Sequence, residues 1–181
     1  MHIRDANCTD VEGIARVHVA SWQTSYRGIV PDTVLDTLSV ERRQQMWTRW
    51  LCDEPGQVFI SVAEADSGRI AGFASAGPPQ RPDEIPDYDG ELHTIYLLHE
   101  AQRQGIGRPL FAHTVERLAA TGARAMLLWV LAGNHQARRF YERLGGSVID
   151  STPAQFGEAA LEEVAYGWPD LRSLVASLKS G

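Results

Sequence analysis

The chain has 181 residues, 44% apolar and 22% charged, an ordinary globular balance with room for one domain and little left for a second. Lys and Arg number 17 against 23 Asp and Glu, and the net charge of −6 argues against a nucleic-acid partner, which needs a basic surface to release counterions. No apolar run approaches the ~20 residues of a membrane helix, so no membrane partner is expected.

The opening Met-His-Ile-Arg-Asp lacks the apolar core of a signal peptide. Cys8 and Cys52 lie far apart and outside any C-x-x-C pattern, so neither a disulfide framework nor a thiolate zinc site is expected. His18, His99, His113 and His135 show no metal-ligand spacing, and no metal is expected. The expected location is the cytoplasm.

In chain order, a strand at His2–Arg4 leads to a helix capped by Thr9 or Asp10 and running to Trp22. Pro31 opens a short helix, and an amphipathic helix covers Val40–Leu51. Strands Val58–Ala65 and Ile70–Ala76 flank the turn Asp66-Ser67-Gly68-Arg69. The proline-rich stretch from Gly77 to Gly90 is a loop. A strand at Glu91–Leu98 precedes a helix from Gly105 to Ala120. Ala125–Leu131 reads as a strand covered on both faces. Asn134 caps a helix carrying Ala137, Phe140, Tyr141 and Leu144 on one side, and Gly145 and Gly146 stop it. Strands near Ser147–Asp150 and Leu161–Gly167 and a helix after Pro169 complete an α/β chain with helices packed on a mixed sheet.

The turn Gln102-Arg103-Gln104-Gly105-Ile106-Gly107-Arg108 joins a strand to a helix N-terminus. Glycines there let the backbone approach an anion closely, free amides point at it, and the helix dipole adds its positive end. A dinucleotide fingerprint would need a third glycine where Leu110 stands, and a P-loop would need Gly-Lys-Ser/Thr, which is absent. What fits is [QR]-x-x-G-x-[GA]. Pro109 is tolerated in the first turn but cannot donate to a phosphate.

One strand later stands N-x-x-A-x-x-F-Y-x-x-x-G, from Asn134 to Gly145. Together the two motifs resemble those of the GCN5-related N-acetyltransferases, strongly from Val58 to Gly146 and only in outline over the first fifty residues. The resemblance implies a mixed, mostly antiparallel sheet with two splayed parallel strands. It implies acetyl-CoA as co-substrate, its pyrophosphate held by residues 102–108 and its thiol end bordered by the helix carrying Asn134, Ala137 and Tyr141. It further implies an amine acceptor, with Tyr141 as general acid and main-chain amides of Leu97 and Leu98 as the oxyanion and pantetheine contacts. Trp22 and Tyr26 match the acceptor-lid position, with Trp47 and Trp50 near the same space. Homodimers of such proteins commonly form through the strands after Gly146.

The chemistry asks for such parts independently. An alkyl amine has a pKa near ~10.4 and a thiol near ~8.5, so attack on a thioester gains from a base for the ammonium and an acid for the sulfur. Glu91 and His93, two apart on one strand, are the base candidates; the later-strand position used by some relatives holds Trp129. Arg138 and Arg139 are candidates for the 3′-phosphate of CoA, and Asp83, Glu84, Asp87 and Asp89 for attracting a cationic amine. A non-catalytic acyl-CoA-binding module and a longer acyl donor remain alternatives.

Overall fold

The apolar stripes converge on one seven-stranded sheet, ordered β1-β2-β3-β4-β5-β7-β6. The computed structural model describes residues 1–53 and 56–180. The strands are β1 (His2–Asp5), β2 (Phe59–Glu64), β3 (Ile70–Gly77), β4 (Gly90–Leu97), β5 (Met126–Leu131), β6 (Ser147–Phe156) and β7 (Ala159–Trp168). All neighbours run antiparallel except β4 and β5. The helices are α1 (Val11–Ser25), α2 (Asp32–Leu35), α3 (Val40–Thr48), α4 (Gly107–Ala120), α5 (His135–Arg143) and α6 (Leu171–Lys179).

Each face of the sheet buries a different helix set. Leu110, Phe111 and Leu118 of α4 and Leu171 and Leu174 of α6 pack with Ala74, Ala76 and Leu92. On the other face, Val11, Ile14 and Val17 of α1 and Trp47 of α3 meet Ile60, Val62 and Phe73. The fold expected from the sequence is thus observed, and several boundaries move for local reasons. A short 3-10 turn, Cys8–Asp10, capped by Asn7, precedes α1, whose N-cap position is Asp10 but without a side-chain cap bond. The Asp10 carboxylate is instead occupied by Arg4, at 2.7 and 2.8 Å, and by the Asn7 amide. After α3 the chain widens into a single π-helical stretch, Arg49–Asp53. The β6–β7 hairpin is longer than expected because Pro153 lies inside β6, an edge strand that can spare one amide. Its two-residue turn places Gly157 at φ 60°, the left-handed region such turns require.

The expectation for the cysteines is overturned. Cys8 and Cys52, 44 residues apart, are joined as a disulfide with a Cα–Cα distance of 5.7 Å, inside the range such a bond needs. Sequence separation is not spatial separation: α1 packs against α3, which brings the turn before one to the stretch after the other. No helix among the described residues is long and apolar enough to cross a membrane.

Candidate active site

The sheet itself makes the cleft. Parallel strands β4 and β5 pair only at Gly90–Met126 and Glu91–Leu127, then diverge. Asp89 fixes the joined end, its carboxylate accepting from the amides of Arg124 (2.8 Å) and Ala125 (3.0 Å). This is a structural task rather than the attraction of an amine. Glu84 likewise pairs with Arg81 at 3.3 Å. Beyond the divergence a cavity of 1110 Å³ opens between the strands and the ends of α4 and α5.

A bulge in β4 changes which side chains face which side. Ser75 of β3 opposes Thr94 while Ala76 opposes Leu92, so His93 is an extra residue. Ahead of the bulge Glu91, and after it Thr94 and Tyr96, therefore share the α1/α3 face. Leu92, Ile95 and Leu97 turn to the α4 side.

The glycine turn has the shape expected of an anion cradle. Arg103 at φ 58° and Gly105 at φ 79° adopt left-handed backbone. No side chain caps α4, and the amides of residues 103–108 have no acceptor among the described residues. Gln102, Arg103, Gly105, Gly107 and Arg108 line the large cavity. Gln104 and Ile106 contribute backbone only: the Gln104 side chain donates to Glu100 O at 2.6 Å, and Ile106 is buried. Gly107 sits against α5, where an added Cβ would come within 3.3 Å of the Phe140 ring. Gln102 ties the parts together, donating to Leu97 O (3.1 Å) and accepting from Gln136 (3.0 Å).

Of the two strand amides named from the sequence, Leu98 donates to Ala71 O at 2.9 Å, so it is spent on the sheet. Leu97 lies one step over and lines the cavity, as does Ile95, which sequence reasoning missed because the hydrogen-bonding side of a strand is invisible until its partner is known.

Helix α5 brings the second motif to the same cavity. Asn134 caps it by accepting from the Ala137 amide at 3.1 Å, and both residues line the cavity with Phe140 and Tyr141. Arg139 also reaches it, whereas Arg138 does not: its guanidinium donates to the Tyr166 hydroxyl and to Ala132 O, both at 3.1 Å. Tyr141 is 7% exposed, wedged among Phe140, Tyr166 and Trp168. Its hydroxyl bonds to nothing among the described residues, yet it is not sealed off from the cavity. Burial pushes its pKa well above that of an ordinary phenol, and the neighbouring Tyr96 adds to the effect.

A second cavity of 320 Å³ lies across the cleft, toward α1 and α3, and shares Tyr26, His93, Thr94, Tyr96, Trp129 and Val130 with the first. Trp22 and Tyr26 meet edge to face at 4.9 Å, and the Trp22 indole donates to the Tyr96 hydroxyl at 3.0 Å. Trp47 and Trp50 line this cavity too. Trp129 is capped by the Arg81 guanidinium at 4.7 Å, and Arg81 pairs with Glu163 at 2.7 Å. Both base candidates are present. Glu91 is 5% exposed and accepts from the Gln80 amide at 2.7 Å; burial raises its pKa above the ordinary carboxylate value. His93 places Nε2 2.9 Å from Pro78 O, so its proton belongs there, and the buried Nδ1 is left an acceptor with no partner among the described residues. Tyr96, His18, Arg43 and Glu163 were not foreseen here, since neither their spacing nor their neighbours in sequence mark them.

A profile of the acetyltransferase (GNAT) family matches residues 19–146. The chain is 38% identical over 172 residues to YuaI of Bacillus subtilis (strain 168), an uncharacterized N-acetyltransferase, covering 95% of each. Among solved structures, the PaiA N-acetyltransferase of Thermoplasma acidophilum, in complex with coenzyme A, shares the fold with a TM-score of 0.67 at 23% identity, over 90% of this chain and 96% of its own. YncA of Salmonella typhimurium, with its cofactor acetyl-CoA, does so with a TM-score of 0.70 at 20% identity, over 94% of each. The chain belongs to the acetyltransferase (GNAT) family and is an N-acetyltransferase.

Proposed function

We propose that residues 1–181 act as one cytoplasmic domain that acetylates a primary amine of a small molecule or peptide, by direct attack in a ternary complex and without a metal. The observation that carries this is the meeting of two cavities at one strand bulge, with an unbonded Tyr141 hydroxyl on one side and His93 and Glu91 on the other.

Acetyl-CoA supplies an acetyl thioester whose carbon–sulfur bond is exchanged for a carbon–nitrogen bond. The amides of residues 103–108, with Arg103 and Arg108, suit the pyrophosphate; Arg139 suits a more distant phosphate; Ile95 and Leu97 offer main-chain groups to the pantetheine and the carbonyl oxygen. Asn134 and Ala137 shape the wall near the thiol end. Trp22 and Tyr26 wall the amine side, and the ammonium proton passes to His93 Nδ1, a buried acceptor without a partner among the described residues. Glu91, whose raised pKa makes it a better base than an ordinary carboxylate, stabilises the cation and is the second acceptor in line. Tyr141 holds its proton through neutral pH and gives it to the sulfur as the bond breaks. The exposed edge strand β6 is the surface through which a second copy would join.

The test is release of free thiol from acetyl-CoA with a panel of amines. Turnover with at least one amine is expected. Tight acetyl-CoA binding without thiol release from any of them would mean a binding module instead, and release only from longer acyl-CoA esters would correct the donor.

A further inference from the structure

The second cavity is polarised. Its acidic groups are on the strand side: Glu91 takes the Gln80 amide, and Glu163 pairs with Arg81. Its α1/α3 side carries no acidic group among the described residues. Arg43 of α3 makes no ion pair among the described residues; its guanidinium lies 5.8 Å from the Trp22 ring centre, and its one hydrogen bond is a 3.7 Å contact to Met46 Sδ. A half-buried guanidinium with no anion beside it is unusual, because burial of an unpaired charge is costly unless something else neutralises it.

His18 of α1 supplies the second donor. The Trp47 indole donates to its Nδ1 at 3.2 Å, so the single ring proton sits on Nε2. That N–H finds no acceptor among the described residues, and His18 lines this cavity. Burial and the nearby Arg43 charge hold the imidazole pKa down to about 3, so it is a neutral donor at any physiological pH. Tyr96 lines the same cavity, its hydroxyl accepting from the Trp22 indole at 3.0 Å.

We propose that the acceptor is a small amine that also carries an anionic group, as an amino acid does, with that anion held by Arg43 and His18 Nε2–H and the amine directed to His93 and Glu91. This rests on the reading of the second cavity as the amine side. It narrows the acceptor to zwitterionic molecules of a size suited to 320 Å³ and turns away polyamines and aminoglycosides, which would set cations against Arg43.

The experiment pairs each free α-amino acid with its carboxamide, adds spermidine, and follows thiol release from acetyl-CoA with wild-type protein, Arg43→Gln and Arg43→Lys. Quenching of tryptophan fluorescence, with Trp22, Trp47 and Trp50 on the cavity, reads acceptor binding independently of turnover. The expected result is a preference in kcat/KM for at least one amino acid over its carboxamide, on the order of 10- to 100-fold. That ratio falls to near one in Arg43→Gln, through KM, and partly returns in Arg43→Lys. A merely structural arginine would lower both members of a pair alike, which overturns the proposal. So would equal use of acids and carboxamides, or best use of spermidine, and either leaves the acetyltransferase reading standing. Absence of thiol release with every amine refutes that reading instead, and quenching by amino acids but not carboxamides would then still support the anion site.

Discussion

Tyr141→Phe removes one oxygen from a ring whose aromatic packing is otherwise kept, against Phe140, Tyr166 and Trp168 with ring centroids 5.5, 5.9 and 6.4 Å away. Because that hydroxyl bonds to nothing among the described residues, its loss leaves no orphaned partner, and stability should stay within about 0.5 kcal/mol of wild type. The cofactor turn lies on another element, so acetyl-CoA affinity should also hold. The rate should not. A positioned general acid contributes roughly 10²–10⁴-fold, or about 2.7–5.5 kcal/mol of barrier. A thiolate with a pKa near ~8.5 is a fair leaving group without help, which puts the loss at the lower end, about 100-fold in kcat. Burial raises the Tyr141 pKa, so the acid keeps its proton as pH rises and wild-type kcat should show no alkaline decline up to about pH 10. The assay is kcat at saturating amine across pH 6–10, beside acetyl-CoA Kd by calorimetry and thermal melting. Unchanged kcat would refute the role, and a rise in Kd together with a fall in Tm would make Tyr141 a packing residue.

Gly107→Glu should abolish acetyl-CoA binding by calorimetry, because its Cβ already meets the Phe140 ring at 3.3 Å and the carboxylate would place like charge in the anion cradle; unaltered affinity would count against that cradle. For Glu91, the folded-state pKa lies above the ordinary 4.5, so its favourable contribution to stability is complete below that value and is lost as pH rises through the raised one. Glu91→Gln should therefore melt like wild type near pH 4 and higher than wild type near pH 8, while kcat/KM falls; a lower Tm at pH 8 would mean the ionised carboxylate stabilises the fold. Reducing the Cys8–Cys52 bond releases a loop spanning 44 residues of separation, worth about 4 kcal/mol on chain entropy. At about 2–4 °C per kcal/mol for a chain of this size, Tm should fall by roughly 8–16 °C on adding a phosphine reductant, and a fall under about 2 °C would show that the link adds little.

The fold was legible because its signals are local and mutually consistent. Apolar periodicity marked α1 and α5, the continuous apolar run marked β5, and the glycine turn followed by the Asn134–Gly145 pattern marked the cofactor side. What escaped was set by pairing. A single residue in β4 decides whether Glu91 and Tyr96 face the same side, and nothing in Glu91-Leu92-His93-Thr94 announces a bulge. Leu98 was lost as a cofactor contact for the same reason, since only the neighbouring strand shows where an amide is spent. The disulfide and the Arg43–His18 pair depend on α1 lying against α3, a tertiary fact that no spacing encodes.

The bulge is also what lets one strand line two cavities. An unbroken β4 facing β3 would alternate strictly, and Glu91 would share its face with His93 and Ile95, away from Tyr96. The extra residue reverses the alternation once: Glu91, Thr94 and Tyr96 line the second cavity, while Ile95 and Leu97 line the first alone, their backbone on the side that the departing β5 leaves unpaired. His93, the inserted residue, borders both cavities, and its Nδ1 is buried with no partner among the described residues. An unpaired buried acceptor costs stability, and in the proposed mechanism that cost leaves Nδ1 open for the proton that arrives with the amine.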